Sequence, residues 1–262
     1  MNPKTADLLP LADATGGYHE YRPPPALRCH FRCVWQNRTG PDQAGAVDVV
    51  PDGCVDLLWR NGRLMVAGPD ITVARPVLAA GSTVLGARFR PGAAAHWLGI
   101  PMSEIVGRSV DLAEIWGDRQ VNEITGKIVD ASTVAEQASL LLEALTGKTP
   151  SVATPDPVAS RIFGWLAEGL GAAEPVGQLR KRLGMSERTL LRRSRAHFGY
   201  GPKMLDRILR FQRFQSLARA TPTVSLATMA AEAGFADQAH LNREIQSLCE
   251  MSAGAFVRQL AG

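Results

Sequence analysis

Arginine is the residue type with most chemical potential in this chain, and its densest run lies between Ser186 and Arg195. If that run is a helix, Leu190 turns inward while Arg188, Leu191, Arg192 and Arg195 project on or beside the opposite face. A guanidinium fork matches a phosphate, and it also matches the O6 and N7 edge of guanine. Ser186 suits the N-cap of such a helix, and Glu187 sits well at the positive end of its dipole. Ser186, Arg188, Thr189, Leu191, Arg192 and Arg195 are the contacts expected here. The pattern returns 51 residues later, with Leu241 for Leu190, Arg243 for Arg192 and Ile245 for Ser194. There Gln238, His240, Asn242 and Arg243 carry the polar groups. Glutamine and asparagine suit adenine, and arginine suits guanine.

Each run needs a support. Pro175 opens a helix whose stripe is Val176, Leu179 and Leu183, and Gly184-Met185 breaks it before Ser186. In the second copy Leu226, Met229 and Ala230 form the stripe, Gly234-Phe235-Ala236 makes the turn, and Asp237 is the N-cap. Helix, tight turn and arginine-bearing helix is the layout that lays one helix in a major groove. Two such units are predicted, at about 175–198 and 225–249. A helix from Pro202 to about Arg219 joins them through Met204, Ile208, Phe211 and Phe214. At 1.5 Å per residue it spans roughly 26 Å, which suits two recognition helices set about one DNA turn apart, ~34 Å.

The charge is distributed to match. Residues 1–150 hold 14 Lys and Arg against 16 Asp and Glu, while residues 151–262 hold 15 against 9. Pro175 to Arg219 alone carries 12 basic residues against Glu187 and Asp206, whereas Ala220 to Gly262 has two against four. So steep a gradient points the basic segment at a polyanion. It also makes the first unit the expected source of most affinity.

The remainder reads differently. Residues 1–26 look like a lead-in ending in three prolines. From His30 to Phe89, short alternating segments (Phe31, Cys33, Trp35; Val55, Leu57, Trp59) stand between turn signals, of which Asn61-Gly62 is a strong hairpin mark. Val134, Ala138, Leu141, Leu142 and Leu145 stripe a helix over 133–146, for packing on the sheet or for dimerisation. Three prolines in residues 147–157 mark a linker, so domains are placed at 1–150 and 151–262. Trp35, Trp59 and Arg88 are candidate ligand contacts, two apolar walls and a polar anchor. Their plainer roles are core packing and pairing with Asp52 or Asp56. Cys29 and Cys33 are close enough to sense metal or redox state, but no nearby second Cys/His pair completes a zinc site, and free thiols are the simpler reading. His19, His30 and His96 are far apart, and no nucleophile or phosphate-loop motif is present, so neither catalysis nor a cofactor is expected. No apolar run reaches the roughly 18 residues of a membrane span, no export signal leads the chain, and the cytoplasm is the expected location.

Residues 155–260 resemble the AraC/XylS family of transcription regulators. The resemblance is carried by Met185 to Arg193, Phe198-Gly199-Tyr200-Gly201-Pro202-Lys203, Arg207, Arg210 to Arg213 and Ala233 to Leu241. The segment Pro51-Asp52-Gly53-Cys54-Val55-Asp56-Leu57 is similar to one in sensor domains of a subgroup. The resemblance implies an α+β multidomain protein: a small β-barrel, cupin-like domain with flanking helices, then an all-α domain with two helix-turn-helix units. It implies double-stranded DNA as partner, and RNA polymerase for an activator; a barrel sensor could take a small-molecule effector, and the stripe over residues 133–146 could instead join two copies as a homodimer. The chain departs from the family in its second unit. A Gly-x-x-Pro follows the first recognition helix as Gly199 and Pro202, but the second copy has Glu250 and Ala253, and Ile245 replaces the usual aromatic.

Overall fold

The computed structural model describes residues 17–169 and 174–261, the last of these for its backbone alone, so residues 1–16 of the lead-in lie outside the described residues. The strands are β1 (Tyr18–Tyr21), β2 (Phe31–Arg38), β3 (Gly45–Ala46), β4 (Asp56–Arg60), β5 (Arg63–Ala67), β6 (Val77–Leu78), β7 (Thr83–Phe89) and β8 (Ser109–Asp111). Six form one antiparallel sheet in the order β1-β2-β7-β4-β5-β8, and β3 pairs with β6. The expected closed barrel is therefore corrected to an open sheet. Closure needs the first and last strands to meet in register. Here β8 is three residues long and runs directly into a helix, and helices cover the core face instead.

Asn61 and Gly62, with φ of 51° and 74°, make the two-residue turn between β4 and β5, the conformation a type I′ hairpin requires. A register shift in β2 sets Phe31 opposite Phe89 but Cys33 opposite Arg88. Such a bulge turns the strand over. Phe31 then stacks with Phe89 in the core at 4.5 Å between ring centres, while Trp35 faces the other side. The three residues read as one face lie on two.

The helices α1 (Ala94–Leu98), α2 (Leu112–Trp116), α3 (Asp118–Val129) and α4 (Val134–Lys148) follow. Thr133 caps α4 by accepting from the Glu136 amide, and Ala138, Leu141, Leu142 and Leu145 are buried with Leu57, Trp59 and Val66 of the sheet. The stripe over 133–146 is thus used inside the chain's own core. Beyond it lie α5 (Pro157–Glu168), α6 (Pro175–Arg182), α7 (Glu187–Phe198), α8 (Pro202–Ala220), α9 (Leu226–Ala233), α10 (Gln238–Cys249) and α11 (Ala253–Ala261). Their buried side chains form a second cluster around Leu205, Ile208, Phe211 and Phe214 of α8. A sheet-rich amino-terminal domain thus precedes an all-helical carboxy-terminal one.

Candidate nucleic-acid interface

The first unit is α6 and α7. Ser186 Oγ accepts the Thr189 amide at 3.2 Å, which satisfies one of the helix's free donors. Leu190, Ser194 and Phe198 are buried, and Ser194 Oγ donates to the Tyr200 carbonyl. That inward face leaves Arg188, Arg192 and Arg195 exposed in one ridge, with Thr189 and Leu191 half-buried beside it.

The second unit is α9 and α10. Asp237 Oδ1 accepts the His240 amide at 2.6 Å, and Leu241, Ile245 and Leu248 are buried. Gln238 and Arg243 are exposed. The other two expected contacts are tied into the framework. His240 Nδ1 accepts from the Ala236 amide, and its ring meets Phe235 edge-on. Asn242 Oδ1 accepts the Ala253 amide at the start of α11.

Several arginines of the basic segment turn inward, which sequence reasoning missed. Arg207 donates to Glu244 of α10 at 2.7 Å, and Arg210 to Asp206 at 2.7 Å. Arg213 donates to the carbonyls of Leu166 and Ala167 at the end of α5, and of Ala233 at the end of α9. Arg193 reaches Asp156 at 2.6 Å, and Arg182 lies over the Trp165 ring. Burial opposes ionisation of Asp156, but the Val158 and Ala159 amides, His197 and Arg193 hold its carboxyl below the usual range. The available signal was positional: Arg207, Arg210 and Arg213 recur every three residues beside the buried stripe of α8.

In the sheet domain, Trp35 and Arg88 share one face. Arg88 donates to Asp56 at 3.1 Å and lies 3.5 Å from Asp52 and 3.9 Å from Glu20. Trp35 Nε1 also donates to Asp56, and Tyr18 packs 5.7 Å from the Trp35 ring. Desolvation works against the Arg88 charge, but Asp56 and Asp52 more than offset it and its pKa is raised. Burial raises Asp52, and it raises Asp70, beside Asp52 and Asp56, to about 6. Trp59 points the opposite way, into the core, and donates to Gln137 of α4. Cys29 is exposed, Cys33 is buried, and both are free thiols. Among the described residues no group of three or more His, Cys, Asp or Glu side chains is placed to hold a metal. No described helix is long and apolar enough to cross a membrane.

Residues 179–259 match the family described as a helix-turn-helix domain, and residues 19–111 match a domain of unknown function (DUF6597). The carboxy-terminal part of the chain thus carries a helix-turn-helix domain of the AraC type. With that domain the chain is a DNA-binding transcription regulator. No curated protein matches it in sequence. Among solved structures it is similar to apo ToxT from Vibrio cholerae strain SCE256, at 12% identity over 95% of this chain and 100% of that one, with a TM-score of 0.47. ToxT from Vibrio cholerae O395 gives 9% identity over 87% and 97%, with a TM-score of 0.45. Wild-type ToxT with an unsaturated fatty acid bound gives 10% over 87% and 95%, with a TM-score of 0.46.

Proposed function

We propose that α7 and α10 of this AraC-type regulator enter successive major grooves and read two half-sites of one operator, the first unit supplying most of the affinity. The observation that carries this reading is the ridge of Arg188, Arg192 and Arg195 on a capped helix whose other face is buried. In the second unit Gln238 and Arg243 are the exposed readers, and His240 and Asn242 hold the helix from within. The unequal share is supported by the charge of Ala220 to Gly262, two basic residues against four acidic.

The sheet domain adjusts DNA binding in response to a small-molecule or other signal. The proposed seat is the face carrying Trp35 and Arg88, a cupin-like site on an open sheet, with Trp59 backing it from the core. The same proposal divides the chain into domains at 1–150 and 151–262 and sets it in the cytoplasm. A homodimer through residues 133–146 would use the outward face of α4, and RNA polymerase is the partner of an activator.

The test is selection of binding sites from random DNA by the purified chain, followed by footprints of variants. Arg192→Ala is expected to cost about 1–3 kcal/mol on the selected site and to relax one base position. Arg243→Ala should blur the other half of the footprint and leave most affinity. A selected site that outcompetes bulk DNA by far less than roughly 10³-fold would indicate a DNA-compacting protein instead.

A further inference from the structure

The end of α10 is built unlike the end of α7. A helix leaves its last carbonyls without intrahelical donors, and a following residue in the left-handed region commonly closes it, most easily glycine. After α7 that residue is Gly199, at φ 87°. After α10 it is Glu250, at φ 60° and ψ 22°, a conformation strained for a residue with a Cβ.

The side chain that replaces glycine has a partner 175 residues away in sequence. Glu250 Oε2 accepts from Arg75 Nη1 at 2.6 Å, and Arg75 Nε donates to Asp48 at 2.9 Å. Beside this pair the Val73 amide donates to the Leu248 carbonyl at 2.7 Å. Leu248 lies in the last turn of α10, so the sheet domain satisfies one of that helix's orphan acceptors. It also sets a cation at the negative end of the helix dipole. Val49 and Ala74 pair as an isolated bridge that holds the contributing segment together. Gln238, at the opposite end of α10, and Arg243, midway along it, are left exposed.

We propose that the sheet domain caps and tethers the second recognition helix through Val73 and Arg75, acting on Leu248 and Glu250, and that docking of the second unit on DNA is conditional on this clasp. Glycine at position 250 would relax the backbone but remove the carboxylate that Arg75 holds. The ion pair is solvent-facing, with Arg75 43% and Glu250 55% exposed, so it is screened by salt and open to competition. A contact of that kind suits a switch more than a permanent joint. Asp48 of the clasp lies four residues from Asp52, which faces Arg88 on the sheet. One short segment thus links the proposed signal-binding face to the end of α10.

The test uses the full chain with Arg75→Glu, Glu250→Arg and the two combined. Each single reversal should speed amide exchange over the last turn of α10 by about 5-fold, and the combined swap should bring it back within about 2-fold of the parent. This readout does not involve DNA and stands apart from the reading that α10 occupies a half-site. On the selected operator each single reversal should lose protection of the second half-site at concentrations that still protect the first, and the swap should regain it. Glu250→Gly should keep the helix end closed and make a further Arg75→Glu change silent. Single variants indistinguishable from the parent in exchange and footprint would overturn the clasp, as would a swap no better than its singles. If exchange behaves as expected while the parent never protects a second half-site, the clasp stands and the two-half-site reading fails.

Discussion

Asp70 and Arg213 show how environment sets what a charged residue does. Asp70 is largely removed from water beside Asp52 and Asp56, and its carboxyl is raised to about 6 from an ordinary 3.8. A raised carboxyl holds its proton more tightly in the folded chain than in the unfolded one. Its contribution to stability is therefore complete below pH 3.8 and is lost as pH rises through about 6. Asp70→Asn should raise the melting temperature at pH 7 and flatten its pH dependence between about 4 and 6. Thermal melts across that range check it, and a profile parallel to the parent's would count against the assignment. Arg213 satisfies helix-end carbonyls of α5 and α9 at once. Arg213→Ala should destabilise the chain by about 2 kcal/mol through those abandoned acceptors, by the cost of leaving buried polar groups without partners. Once folded, the variant should protect the same base positions. Denaturant melts and footprints of one preparation separate the two effects.

Among the elements, α7 carries the clearest sequence signals and also the tightest contact between domains. Its cap, its inward leucine and its arginine ridge were legible because Ser186, Leu190 and Arg192 act within one helix, at spacings local geometry fixes. Asn61-Gly62 was legible for the same reason. The turn-over of β2 was not, because Phe31, Cys33 and Trp35 alternate regularly and only pairing with β7 reveals the extra residue. Nor was the inward use of Arg207, Arg213 or Glu250, whose partners lie in distant segments. At the end of α7, Gly199 combines its positive φ with close packing on the sheet domain. A Cβ there would fall 2.6 Å from Val106 Cγ2 and 2.7 Å from Pro69 Cγ. Gly199→Ala should cost about 2–4 kcal/mol, part backbone strain and part overpacking. Chemical denaturation measures this, and a cost under about 0.5 kcal/mol, the range of neutral surface changes, would mean the two parts do not meet there as described.

At the scale of the whole molecule, the inward arginines govern how the regulator moves among DNA sequences. Pro175 to Arg219 holds 12 basic residues. Arg182, Arg193, Arg207, Arg210 and Arg213 of these are engaged by protein partners. Seven are left to displace the cations condensed on the duplex. If all seven met phosphates, a plot of log affinity against log salt would fall with a slope near −6, where twelve would give about −11. A measured slope close to −11 would mean that the internal pairs open on DNA. With the gentler slope, the chain holds bulk DNA less firmly at low ionic strength than its composition suggests. It then leaves wrong sites sooner, and more of its search time passes in transfer between segments than in sliding along one.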